Sequence, residues 1–159
     1  MSGAGTIAVR RAEGGDRRRL SEIMNATWRE TWAPHMPEGA DKAWWENAIA
    51  EFFVDQVWAS CLVAVTGGRV SGFVLMTSDG VTTLHVDPAV KRRGIGRALV
   101  EAAESQARSH GHGRLRIETE AFNTGTHAFY AALGFVETRR FIGDVVGYPT
   151  PCLELVKTF

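Results

Sequence analysis

The stretch from Leu84 to Leu99 constrains the fold of this chain more than any other. Val81 to Val86 reads as a β-strand, and it must stop at Asp87-Pro88, because proline restricts the residue before it and gives the ladder no donor. A basic loop, Lys91-Arg92-Arg93, leads into Gly94-Ile95-Gly96. From Gly94 to His110 the residues Ile95, Leu99, Ala102, Ala103 and Gln106 share one helical face, Arg97, Glu101, Glu104 and Arg108 point elsewhere, and Gly111 supplies a stop. Strand, basic loop and amphipathic helix thus follow one another, and the loop delivers cations to the positive end of a helix dipole.

That junction is suited to a diphosphate. Unpaired N–H groups at the helix start donate to phosphate oxygens, glycine at 94 and 96 leaves the main chain unobstructed, and Arg92, Arg93 and Arg97 add charge-assisted hydrogen bonds. The alternatives are a solvated charge run with glycines that only shape a loop, and a dinucleotide fingerprint ending on Glu118. The fingerprint fails twice. Leu99 stands where its third glycine belongs, and Asp87 to Arg93 intervene where it needs a tight turn.

The rest of the chain alternates helical and extended patterns. Asp16 is placed to cap a helix whose apolar face is Leu20, Ile23, Met24, Thr27 and Trp28, and Asp41 to open a second one carrying Trp44, Trp45, Ala48, Ile49, Phe52 and Phe53. Cys61 to Val65 and Val70 to Met76 form a hairpin about Gly67-Gly68. Arg114 to Thr119 reads as a strand, Thr126 to Leu133 as a short helix ending at Gly134, and Phe135 to Phe141 and Cys152 to Lys157 as closing strands. This order predicts an α+β (mixed α/β) fold, a central mixed, mostly antiparallel twisted sheet flanked by about four helices. At 159 residues, with 45% apolar and 23% charged, it reads as a single domain, 1–159, with a core of its own.

Charge excludes some partners. Eighteen basic and eighteen acidic residues cancel, so no nucleic acid and no anionic membrane is expected. No window approaches the roughly 18 apolar residues of a membrane span, and Cys61 and Cys152 lack ligand spacing and read as buried thiols, which suits a cytoplasmic location. The five histidines include no HExxH pair, so no catalytic metal is expected.

The run Lys91-Arg92-Arg93-Gly94-Ile95-Gly96 resembles the pyrophosphate motif Q/R-x-x-G-x-G/A of the GNAT superfamily of acetyl-coenzyme A-dependent N-acetyltransferases, with lysine in the first place. A second stretch matches the same family in order and spacing: Leu115-Arg116-Ile117-Glu118-Thr119-Glu120-Ala121-Phe122-Asn123, then Phe129-Tyr130-Ala131-Ala132-Leu133-Gly134-Phe135, with Thr126 replacing an alanine. Together they lie within residues 81–141.

The resemblance implies acetyl-CoA as acetyl donor and an amine-bearing acceptor of unspecified identity. It implies that Leu84, His85 and Val86 hydrogen-bond the pantetheine arm, that Arg92, Arg93, Gly94, Ile95, Gly96, Arg97 and Ala98 hold the diphosphate, and that Asn123 orients the arm or a water. Tyr130 would serve as general acid to the leaving sulfur, a role that a phenol of pKa about 10 fills at neutral pH. Glu118 would be the general base, with Glu120 in reserve, and since a free carboxylate is a weak base for an ammonium, that role calls for burial or a water relay. His85 could face the acetyl group from its strand, but a lone strand histidine is more often a packed structural residue. Trp28, Trp32 and His35 with the segment 141–151 would wall the acceptor cleft. Family members are often dimers, so a homodimer is left open. A non-catalytic acyl-CoA-binding sensor is the alternative, against which the retention of both Tyr130 and Glu118 counts.

Overall fold

The computed structural model describes residues 5–159. Seven strands, β1 (Ala8–Arg11), β2 (Cys61–Thr66), β3 (Arg69–Thr77), β4 (Gly80–Val86), β5 (Arg114–Glu120), β6 (Val136–Val145) and β7 (Tyr148–Thr158), form one sheet in the order β1-β2-β3-β4-β5-β7-β6. Every neighbouring pair is antiparallel except β4 and β5, which run parallel. The mixed, mostly antiparallel sheet expected from the sequence is therefore found, with five α-helices rather than about four: α1 (Arg17–Thr27), α2 (Glu38–Glu46), α3 (Ile49–Val57), α4 (Ile95–Ser109) and α5 (Thr124–Ala132).

The extra helix arises at Ala48, which adopts a left-handed φ of 46° and divides the second expected helix into α2 and α3. Asp41 does not open that helix. It lies inside α2, and its Oδ1 accepts the indole N–H groups of Trp28 and Trp45. Asp16 makes no side-chain cap on α1; its carboxylate takes the Glu13 N–H and pairs with Arg10 at 2.8 Å. Strand β1 was not foreseen, because four residues with two arginines give little alternation to read. β6 and β7 run beyond the expected limits to a tight turn at Val146 (φ 51°) and Gly147 (φ 82°). Pro149 and Pro151 are tolerated there because β5 pairs β7 only from Cys152 onward, leaving their side of the strand an edge.

Two apolar layers sandwich the sheet. On one face Leu20, Ile23, Trp28, Trp44 and Val54 from the first three helices pack on Val63 and Phe73. On the other, α4 buries Ile95, Leu99, Val100, Ala103 and Ala107 against Leu115, Ile117 and Leu155. Glu104, expected to point away from the apolar face, is buried too, and it is tolerated because Lys157 of β7 pairs with it at 2.7 Å. Among the described residues no helix is long and apolar enough to cross a membrane.

The site is positioned by the one parallel pair. β4 and β5 meet only at Gly80↔Arg116 and Val81↔Ile117, and then part. From Leu84 to Val86, β4 keeps its ladder with β3 and has no partner on the β5 side. A wedge-shaped opening in the sheet results, with main-chain hydrogen-bonding groups on its wall.

Candidate active site

Two cavities meet in this opening. A groove of about 620 Å³ runs from the start of α4 to Tyr130, and a smaller recess of about 150 Å³ lies between β4 and β5. Trp32, Leu84, His85, Asn123, Thr126 and Tyr130 line both.

At the outer end of the groove, Gly94 caps α4 with φ 84°, a conformation that costs a residue with a Cβ, and Arg92 is also left-handed at φ 61°. The first intrahelical bond runs from Ala98 N–H to Gly94 O at 3.0 Å. The N–H groups of Ile95, Gly96 and Arg97 are thus left for a ligand at the positive end of a fifteen-residue helix. Gly96 also serves packing: a Cβ there would lie 3.1 Å from Phe129 Cζ, so glycine lets Phe129 close on the helix. Lys91, Arg92 and Arg97 line the groove, whereas Arg93 and Ala98 lie outside its lining. Lys91 is ion-paired with Glu30. Backbone donors and three cations at a helix start fit a diphosphate.

At the inner end, Leu84, His85 and Val86 present the unpaired wall of β4. Tyr130 is 4% exposed, held edge-on by Phe129 (4.9 Å) and Phe135 (5.3 Å). Its hydroxyl has no hydrogen-bond partner among the described residues, and burial pushes the phenol up from its ordinary pKa, so it is protonated at neutral pH. Asn123 stands at the N-cap of α5 yet makes no capping bond with its side chain, which faces the cavities instead.

The carboxylates depart from expectation. Glu118 lines the recess, but its side chain is 51% exposed and pairs with Arg139 at 3.3 Å, so of the two routes expected for a base, burial or a water relay, burial is absent. Glu120, also on the recess, accepts the indole N–H of Trp32 at 2.8 Å. Between them Thr119 is buried, and its hydroxyl has no partner.

Of the residues expected around the acceptor cleft, only Trp32 lines either cavity. Trp28 is core, 2% exposed and stacked on Trp44 at 4.3 Å. His35 stacks on Phe122 at 4.7 Å, and Val145, Val146 and Tyr148 of the segment 141–151 pack against the first apolar layer. The separation of Trp28 from Trp32 follows from a π-helical turn, Trp28–Trp32, that continues α1 and that helical periodicity does not anticipate. Thr27 and Thr119 were missed as site residues. A hydroxyl in an otherwise apolar face was the available signal for Thr27.

Comparison with known proteins agrees with this geometry. Residues 17–135 match the model of the acetyltransferase (GNAT) family. The chain is 33% identical over 153 residues to the peptidyl-lysine N-acetyltransferase YjaB of Salmonella typhimurium, covering 94% of this chain and 97% of that protein. The apo form of Escherichia coli YjaB superposes with a TM-score of 0.75 at 27% identity, covering 95% of this chain and 97% of that one. A GCN5-related N-acetyltransferase from Rhodopseudomonas palustris superposes with a TM-score of 0.83 at 24% identity, covering 97% and 96%.

Proposed function

The chain belongs to the acetyltransferase (GNAT) family, and from that premise we propose that it moves the acetyl group of acetyl-CoA to the ε-amine of lysine in a protein or peptide. N-acetyl transfer from acetyl-CoA is the activity of the family. The acceptor rests on the likeness to a peptidyl-lysine N-acetyltransferase along nearly the whole of both chains. One observation carries the reading: the groove that begins at the free N–H groups of α4 ends at the Tyr130 ring, which also lines the recess.

Each residue then has a task. The N–H groups of residues 95–97, with Arg92, Arg97 and Lys91, hold the diphosphate. The unpaired wall of β4 aligns the pantetheine arm as an added strand, and its N–H groups stabilise the oxyanion formed on attack. Tyr130 gives its proton to the departing thiolate. Glu118 and Glu120 give the recess a negative mouth that draws in an alkylammonium acceptor. The two free, buried cysteines suit a reducing compartment, which supports a cytoplasmic location.

The test is calorimetric titration with acetyl-CoA, followed by thiol release with a lysine-containing peptide. Tyr130→Phe is expected to lower kcat by about a hundredfold or more with the donor affinity unchanged. A wild-type protein that does not bind acetyl-CoA overturns the reading.

A further inference from the structure

His85 is a second buried titratable side chain, beside Tyr130, in the opening between the strands. It is 7% exposed, and its ring lines both the groove and the recess. Phe73 stacks beside it at 5.3 Å and Trp32 lies tilted at 5.5 Å, so two aromatic rings flank the imidazole. Its Nδ1 is 2.6 Å from Thr27 Oγ1, while its Nε2 has no protein partner among the described residues. The Thr27 hydroxyl also lies 3.0 Å from Met24 O. That hydroxyl has one hydrogen, and the carbonyl accepts only, so the hydrogen goes to Met24 O and the Thr27 lone pair takes a hydrogen from Nδ1. The ring is then the Nδ1–H tautomer, with a lone pair on Nε2.

We infer that His85 is a catalytic residue of the acetyl transfer, its Nε2 taking the proton that the acceptor nitrogen releases, and that Thr27 is the positioning residue that fixes its tautomer. The inference deepens the proposed function and rests on it. The acceptor nitrogen donates its lone pair to the thioester carbonyl carbon, and the carbonyl π pair moves onto oxygen. The nitrogen, now positively charged, loses one proton to His85 Nε2. As the carbonyl re-forms, the C–S bond breaks with its pair going to sulfur, which takes the Tyr130 proton. One proton thus leaves the amine and one reaches the thiol, and His85 and Tyr130 return to neutrality by exchange with solvent through the recess.

The carboxylates are less suited to this task. Glu118 is half-exposed and held by Arg139, and an oxygen of Glu120 is occupied by Trp32. Burial lowers the His85 imidazole to about 4, so it is neutral, with its lone pair free, throughout the physiological range. A base of that strength does not strip a free alkylammonium. It acts after attack begins, when bonding to carbon has made the nitrogen far more acidic.

The first measurement needs no turnover: ¹⁵N spectra of the imidazole in the acetyl-CoA complex are expected to show Nδ1 protonated and Nε2 bare. Activity is then measured with a lysine peptide, an α-amino peptide and spermidine as acceptor probes. With the probe that the wild type uses best, His85→Gln is expected to lower kcat at least about a hundredfold at unchanged acetyl-CoA affinity, and added imidazole to restore part of the activity of His85→Ala. Thr27→Val is expected to lower kcat and alter the tautomer spectrum, with Thr27→Ser restoring both. Should His85→Gln not fold, the Thr27 pair and the wild-type spectrum decide. A protonated Nε2, a folded His85→Gln within threefold of wild type, or an unimpaired Thr27→Val overturns the role of His85 and leaves the acetyl-transfer reading standing. A wild type that fails to bind acetyl-CoA overturns both.

Discussion

Trp32 donates its indole N–H to Glu120 Oε1 at 2.8 Å, tying the π-helical turn after α1 to the end of β5, eighty-eight residues away. The bond spans the mouth of the recess, where both residues are lining. It holds one Glu120 oxygen in place and sets the indole over the opening.

Replacing Trp32 with phenylalanine keeps an aromatic wall and removes only that donor. A hydrogen bond to a charged group is worth about 1.5–3 kcal/mol, part of which water regains at a half-open site. We expect the acceptor KM of Trp32→Phe to rise roughly three- to tenfold while the acetyl-CoA Kd stays within a factor of about two. Steady-state kinetics with varied lysine peptide, together with calorimetry for the donor, separate these effects.

Gly94 and Gly96 should fail differently when given a Cβ. Gly94→Ala must hold a left-handed φ, so it is expected to cost about 1–2 kcal/mol of stability, and Gly94→Asn less, because asparagine tolerates that conformation. Gly96→Ala instead pushes on Phe129 and through it on Tyr130. Its expected signature is a fall in kcat that exceeds its fall in melting temperature. Thermal melts and kinetics on both variants check the contrast.

His85 should make the protein sensitive to acid. The folded state holds its imidazole at about 4 by burial, whereas an unfolded imidazole titrates near 6.5. Between those values the unfolded chain binds a proton that the folded one refuses, so stability falls as pH drops from about 6.5 to about 4 and is fully present above that window. The loss is of order 3 kcal/mol, since each tenfold change in proton affinity is about 1.4 kcal/mol. Urea melts at pH 7, 5.5 and 4.5 should show this slope in the wild type and a shallower one in His85→Gln.

Much of this was legible along the chain. The Val81–Val86 strand, the Asp87-Pro88 stop and the helix beginning after Gly94 stand as read, because proline geometry, glycine caps and helical periodicity are local properties. The Gly67-Gly68 turn was equally plain, both glycines having positive φ. So were the family motifs, which are short and contiguous.

What lay beyond reach depends on contacts between residues far apart in sequence. Trp28 and Trp32 look alike on a helical wheel, yet one stacks in the core and the other faces the recess, because α1 widens into a π turn whose tryptophans meet α2, β4 and the end of β5. The surroundings of Glu118 and His85 were out of reach for the same reason. Alternation along β5 says that Glu118 faces away from Ile117, but not that Arg139 of β6 waits there. Nor does anything near His85 announce that Thr27, Phe73 and Trp32 will close around it. Elements and motifs follow from neighbouring dihedral preferences and periodicity, whereas burial and proton affinity are set by whatever the sheet brings alongside.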